Sequence, residues 1–187
     1  MMVIKRILRY LKGTEDYGLW YKLGGNLALK MLTDVDWVGN IDDRKSTSGG
    51  ALFLGKKLVS WTSKKKTCTS QSTTEEEYVA VAVNCSNNVW FKHLLEGIKV
   101  EIKELVVMFC DKKSAINISK NPVMHSKTKH IAIKYHFVKE LVQDKEIRLE
   151  YVHTKEQIAN IFTKSLHKDA FLYLRGMLGV IPLFEAQ

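Results

Sequence analysis

The run Leu105-Val106-Val107-Met108-Phe109-Cys110 has strand length, no polar position, and an abrupt end at Asp111. A strand without a polar face must be covered on both sides, so it belongs at the centre of a sheet with helices packed on it. That places the chain among layered α/β folds.

The flanking segments are consistent with this. Leu27 to Asp36, Gly49 to Leu54 and Leu58 to Ser63 read as three successive antiparallel strands, the last two joined by Gly55-Lys56-Lys57. Ser70 to Ile98 reads as a long helix, opened by a capping box between Ser72 and Glu75 and carrying an apolar stripe of Tyr78, Val81, Ala82, Cys85 and Val89. After Asp111 a helix is expected to about Lys120, closed by Pro122. Residues 130 to 143 read as a helix through Ile133, Phe137, Val138 and Leu141, Ile147 to Val152 as a strand, and Lys155 to Ser165 and Lys168 to Leu178 as two further helices. The order implies a mixed sheet, antiparallel first and parallel later. Upstream, Ile4, Ile7, Leu8 and Leu11 form the apolar stripe of a helix over residues 2 to 12 that ends at Gly13. Tyr17 to Lys22 is a candidate short strand before the turn Gly24-Gly25-Asn26.

Three acids stand where apolar runs meet a turn or a helix: Asp34, Glu77 and Asp111. Asp34 and Asp36 share one face of their strand, by its period of two. Asp111 ends a buried strand, where open α/β sheets place ligands, although an acid there can also cap the next helix. In Glu75-Glu76-Glu77, the first belongs to the capping box and the second is expected in solvent. Glu77 borders the apolar stripe and can lean over the sheet, although a first-turn acid is also favoured by the helix dipole. Asp and Glu delivered by separate elements make an all-oxygen set suited to Mg²⁺ rather than Zn²⁺. Two such ions can activate water and stabilise a leaving oxygen in phosphodiester hydrolysis.

The net charge of +9 over 187 residues makes a polyanion the natural partner for that chemistry. A chain of this length suits one domain with a stub, and no apolar run approaches the roughly 20 residues needed to cross a bilayer. Met1-Met2-Val3-Ile4-Lys5-Arg6 lacks the form of a secretory signal, and Cys68, Cys85 and Cys110 have no CxxC spacing, so a reducing, intracellular setting is expected. Neither GxSxG nor a phosphate-binding glycine loop is present, which argues against Ser-His-Asp hydrolysis and nucleotide-dependent chemistry; no small-molecule cofactor is expected.

The strings Lys5-Arg6-Ile7-Leu8-Arg9-Tyr10-Leu11-Lys12-Gly13-Thr14, Asp34-Val35-Asp36-Trp37, Asp42-Asp43-Arg44-Lys45-Ser46-Thr47-Ser48-Gly49, Val59-Ser60-Trp61, Glu75-Glu76-Glu77-Tyr78, Asn121-Pro122-Val123, Thr128-Lys129-His130-Ile131, Tyr135-His136-Phe137 and Ala159-Asn160-Ile161-Phe162-Thr163-Lys164 occur in order along nearly the whole chain. Together they resemble the ribonuclease H domain of copia-type LTR retrotransposon Pol polyproteins. The resemblance implies a five-stranded ribonuclease H-like fold that cuts the RNA strand of RNA–DNA hybrids with two Mg²⁺, for which Mn²⁺ can substitute. It assigns Asp34, Glu77 and Asp111 as catalytic metal ligands and places Asn160 at the fourth position, where the family usually has Asp.

Asn160 keeps a carbonyl oxygen but removes one negative charge, so weaker metal binding and slower turnover are expected. Lys112-Lys113 stand where the family usually carries Asn-Gln; they can hold phosphates, and they would repel Mg²⁺ if they leaned inward. Ala132 stands where the family often has Asp. Residues 1 to 25 resemble the end of the reverse transcriptase connection, and residues 26 to 187 the ribonuclease H-like domain. The reverse transcriptase portion of the parent polyprotein is therefore an expected partner. The expected location is the cytoplasm, in the parent element's virus-like particle, or the nucleus, with no membrane association. The alternative reading is a catalytically impaired, hybrid-binding remnant of a decayed element.

For gripping a hybrid, Arg44, Lys45, Ser46 and Thr47 form a basic and hydroxylated loop near the first acid. Lys127, Lys129, His130, Lys134 and His136 alternate with Tyr135 and Phe137. With Lys112 and Lys113, these residues can follow a phosphate backbone without reading sequence, although the second group also fits a solvated helix face. His153, on a loop, is a candidate proton shuttle.

Overall fold

The structure is a computed structural model that describes residues 2–36, 45–66, 73–102, 104–120 and 129–185. Its elements run α1 (Met2–Lys12), β1 (Tyr17–Leu19), β2 (Leu29–Asp36), β3 (Thr47–Leu54), β4 (Lys57–Lys65), α2 (Thr73–Gly97), β5 (Val106–Cys110), α3 (Lys113–Lys120), α4 (Lys129–Gln143), β6 (Ile147–Tyr151), α5 (Lys168–Met177) and β7 (Val180–Pro182). A five-stranded sheet has the order β4-β3-β2-β5-β6. β2, β3 and β4 are antiparallel neighbours, whereas β5 joins β2 in parallel and β6 joins β5 in parallel. This is the mixed sheet expected from the pattern of apolar runs.

The strand period of two sorts β2 onto two cores. Leu29 and Met31 turn to one face, where they join Tyr78, Val81 and Cys85 of α2, Ala115 and Ile116 of α3, and Val138 and Leu141 of α4. Leu32 turns to the other, against Ala51, Phe53, Ile158, Ala159, Leu174 and Leu178. The first core holds Cys85 and Cys110 as buried free thiols, as expected; Cys68 lies outside the described residues. Burial raises both thiols, Cys110 to about 12 with a further push from Glu77, so neither is a reactive thiolate.

Several expectations are corrected. The segment Lys155 to Ser165 is not an α-helix but two 3-10 turns, Thr154–Glu156 and Ile158–Phe162. Side chains compete there with helical bonding: Gln157 accepts from the Ala159 N–H and donates to the Thr33 carbonyl, and Asn160 donates to the Thr154 carbonyl. The strand near residue 17 is short, and its partner is β7, which periodicity did not reveal. Tyr17, Gly18 and Leu19 pair with Pro182, Ile181 and Val180. Arg175 lies 4.1 Å over the Tyr17 ring, and the Tyr21 hydroxyl donates to the Leu58 carbonyl, so the first segment is tied to the main sheet. The apolar stripe of α1 is exposed at Ile4, Ile7, Leu8 and Leu11. Among the described residues, no helix is long and apolar enough to cross a membrane.

Candidate metal centre

β2 and β5 run parallel, and their register pairs Thr33 with Cys110. The next residue on each strand is an acid, so Asp34 and Asp111 emerge side by side at the carboxyl ends of two central strands. Glu77 arrives from α2, on the opposite face of the sheet, and meets them past the strand ends. One carboxylate oxygen from each of the three lies within 4.8 Å of the others. The structure therefore brings together three of the four residues singled out as a site and does so from three separate elements.

Asn160, the fourth, sits in the second 3-10 turn and is 3% exposed. Its amide donates to the Thr154 carbonyl at 2.8 Å, and its Oδ1 has no hydrogen-bond partner among the described residues. Two threonines connect that turn to the acids. Thr154 Oγ1 donates to Asp111 Oδ2 at 3.1 Å, while Thr163 Oγ1 donates to Asp34 Oδ2 and lies 3.2 Å from the Asn160 carbonyl oxygen. Neither threonine was singled out from sequence. Thr163 stands within the string Ala159 to Lys164, but the pattern around Thr154 carries no signal of this contact.

The electrostatics of the cluster are set by burial and by the crowding of three acids. Glu77 is completely buried, and its carboxyl is pushed up to about 8, chiefly by desolvation. Asp34 and Asp111 add to the rise, and Lys112 opposes it. Among the described residues, Glu77 Oε2 and Asp111 Oδ1 have no hydrogen-bond partner, and Glu77 Oε1 faces only the Lys112 ammonium. Carboxylate oxygens without hydrogen bonds, with Asn160 linked to the acids through Thr154 and Thr163, fit a hard divalent ion, which takes oxygen ligands.

Two lysines stand at the rim: Lys112 Nζ is 3.4 Å from Glu77 Oε1, and Lys164 Nζ is 3.5 Å from Asp34 Oδ2. Lys112 thus leans inward, whereas Lys113 turns away to place its ammonium 5.1 Å over the Tyr151 ring. Glu76, expected in solvent, is instead completely buried, because Lys66, the residue after β4, meets its carboxylate and main-chain carbonyl and supplies the compensating charge.

The remaining candidates are dispersed. Lys45 and Thr47 are partly exposed beside β3, but Ser46 is 2% exposed, and its carbonyl accepts from the Lys66 N–H, so its hydroxyl is not offered to a ligand. Arg44 and Lys127 lie outside the described residues. For Lys129, His130, Ala132 and Tyr135, only the backbone within α4 is described. Lys134 and His136 are exposed on α4, and Phe137 packs against the first core. His153 caps the first 3-10 turn, its Nδ1 accepting from the Lys155 N–H at 3.2 Å.

No protein-family model matches the chain. It is 40% identical over 180 residues to the retrovirus-related Pol polyprotein from transposon RE2 of Arabidopsis thaliana, a match that covers 96% of this chain. Identity to the corresponding polyprotein from transposon TNT 1-94 of Nicotiana tabacum is 37% over 177 residues and 95% of the chain. The chain is a homologue of copia-type retrotransposon Pol polyproteins. This Pol homologue spans a small part of those relatives, 12% of the first and 13% of the second.

Solved structures agree on the architecture. A ribonuclease H1 isolated from compost by a metagenomic approach matches with a TM-score of 0.53 at 12% identity, over 73% of this chain and 93% of that one. The ribonuclease H1 of Halobacterium salinarum gives 0.52 at 11% identity, over 78% and 98%. The compost enzyme in complex with an RNA/DNA hybrid gives 0.52 at 10% identity, over 72% and 93%. The Pol homologue has a ribonuclease H-like fold.

Proposed function

We propose that this Pol homologue hydrolyses the RNA strand of RNA–DNA hybrids endonucleolytically, with two Mg²⁺ or Mn²⁺, as one segment of a retrotransposon polyprotein. The observation that carries the proposal is the meeting of one carboxylate oxygen each from Asp34, Glu77 and Asp111 within 4.8 Å, with Glu77 Oε2 free of hydrogen bonds among the described residues. The fold, shared with a ribonuclease H1 solved in complex with an RNA/DNA hybrid, and the Pol relatives support the hybrid as substrate.

Asp34, Glu77 and Asp111 would hold the ions, with the Asn160 Oδ1 as a weaker fourth ligand. Bound there, two divalent ions supply an activated water and charge stabilisation at the leaving oxygen. Thr163 and Thr154 orient the Asp34 and Asp111 carboxylates, each hydroxyl donating to one carboxylate oxygen. Lys45, Thr47, Lys112 and Lys113, together with Arg44, Lys127, Lys129 and His130, are assigned to the phosphate backbone. We assign residues 1–25 to the end of the reverse transcriptase connection and 26–187 to the nuclease domain, with β1 and β7 holding the two together. The polymerase part of the same polyprotein is the proposed partner, in the cytoplasm or nucleus.

The test is incubation of the purified chain with a labelled hybrid and Mg²⁺ or Mn²⁺. The RNA strand should be cut, and Asp34→Asn and Asp111→Asn should abolish cutting. A hybrid left intact by both the wild type and Asn160→Asp under every metal condition defeats the proposal. The neutral Asn160 and the inward Lys112 favour a second reading, a remnant that binds hybrids without cutting them. Its signature is salt-dependent binding with no cleavage in any metal.

A further inference from the structure

Of the two adjacent lysines that follow Asp111, one turns into the acidic cluster and one turns out of it. Among the described residues, Lys112 is the cation at ion-pair distance from Glu77, a completely buried carboxylate whose Oε2 makes no hydrogen bond. The Lys112 side chain itself is 34% exposed, so its ammonium sits at the mouth of the site on a flexible four-carbon stem with water behind it. Lys164 approaches Asp34 similarly, but Asp34 also has the Thr163 hydroxyl. The Glu77 side of the cluster therefore depends on Lys112 for its compensating charge.

We propose that Lys112 is a built-in competitor for the divalent cation: its ammonium neutralises Glu77, and an ion engages that carboxylate only as Lys112 swings outward. This rests on the metal-binding reading above and adds which residue of this chain sets the affinity. Glu77 cannot be fully engaged by both cations, because the oxygen that faces the ammonium is one the ion needs and the two positive charges repel at this separation. A protein that must first leave a paired state binds with its affinity reduced by the fraction that is free. Lys112 exchanges divalent affinity for stability of the metal-free fold, since an uncompensated carboxylate at Glu77 would otherwise be buried alone.

The experiment is a calorimetric titration of Mn²⁺, at a pH above 8 where Glu77 is ionised, into the wild-type chain, Lys112→Met and Lys112→Arg, with thermal melts of each, metal-free and in excess Mn²⁺. Lys112→Met should bind Mn²⁺ about tenfold more tightly, consistent with a paired state populated roughly nine parts in ten. Lys112→Arg, which retains the charge, should stay near the wild type. Lys112→Met should also gain more in melting temperature from Mn²⁺ than the wild type does. Should the Met variant fail to fold, Lys112→Gln carries the same expectation with a polar tip. The tighter binding must disappear on adding Asp111→Asn, which ties it to the cluster. Equal Mn²⁺ affinity in the wild type and Lys112→Met overturns the competitor role and leaves the metal site standing; no binding to any of these proteins overturns both.

Discussion

Thr163 donates its hydroxyl to Asp34 across 129 positions of sequence, which fastens the second 3-10 turn to the first acid of the site. Thr154 does the same for Asp111 at 3.1 Å, and its carbonyl holds the Asn160 amide. The segment after β6 thus touches both strand-borne acids through hydroxyls and presents Asn160 between them in the hydrogen-bond chain. A carboxylate with one oxygen held this way has a fixed orientation, which is what a ligand set for a hard ion requires.

Thr163→Val keeps the shape of that contact and removes its hydroxyl. Asp34 Oδ2 then loses a partner while buried, which we expect to cost about 1–3 kcal/mol of stability. The ligand set should loosen as well, so Mn²⁺ affinity should fall together with the melting temperature. A variant that melts and binds Mn²⁺ like the wild type would show that the hydroxyl is incidental.

Gly49 stands opposite Asp34 in the β2–β3 ladder, and its lack of a side chain is what lets the turn close. A Cβ there would lie 2.7 Å from the Thr163 methyl carbon and 3.0 Å from the Ala159 carbonyl oxygen. Since one of those atoms is backbone, Gly49→Ala must displace the turn rather than a side-chain tip. We expect a loss of about 1–3 kcal/mol by overpacking, with weaker metal binding. Serine at position 48, by contrast, should accept alanine with little change, because it is only partly buried and its hydroxyl bond to the Lys64 carbonyl is long, at 3.3 Å. Chemical denaturation of the two variants side by side checks the contrast.

The sheet was legible because its strands announce themselves: β5 through an unbroken apolar run, β2 through alternation that ends in acids. The site was legible at Asp34 and Asp111 for the same reason, since an acid at the end of a central strand has few places to go. The burial of Glu76 is not legible in the sequence, because the apolar stripe of α2 marks only part of its buried face. In fact Glu77, Asn84 and Asn88 are buried as well, and Asn84 donates to Thr33 at 2.8 Å, so the helix meets the sheet through polar groups. Periodicity cannot mark such a face. The 3-10 turns were hidden because they arise from bonds between Gln157, Asn160 and distant or local backbone, not from helical spacing. β7 was hidden because a three-residue strand has too few residues to alternate.

Asn160→Asp adds a charge at a position whose Oδ1 has no hydrogen-bond partner among the described residues. Added negative charge beside Asp34 and Asp111 repels them without metal and attracts a divalent ion strongly. We expect a lower melting temperature in the absence of metal, a larger rise on adding Mn²⁺, and faster cleavage of a hybrid. If the Mn²⁺-induced rise is no greater than in the wild type, Asn160 does not contribute to the ligand set.

Glu77 makes the metal-free fold sensitive to pH in a direction opposite to that of most carboxylates. Its carboxyl is held near 8 in the folded state against 4.5 as the ordinary value, chiefly by burial, so between those limits the folded protein carries a proton that the unfolded chain has lost. Stability is then greatest below about pH 4.5, as far as this group is concerned, and falls as pH rises through 8. The expected span is on the order of a few kcal/mol, reduced by the compensating charge of Lys112. A divalent ion requires the ionised carboxylate, so Mg²⁺ should bind more weakly at pH 6 than at pH 8.5, release a proton at the lower pH, and flatten the fall in stability. Thermal melts from pH 5 to 9, with and without Mg²⁺, test this against Glu77→Gln, which should lose the part of the slope due to this group. An unchanged slope in that variant would assign the pH dependence to other groups.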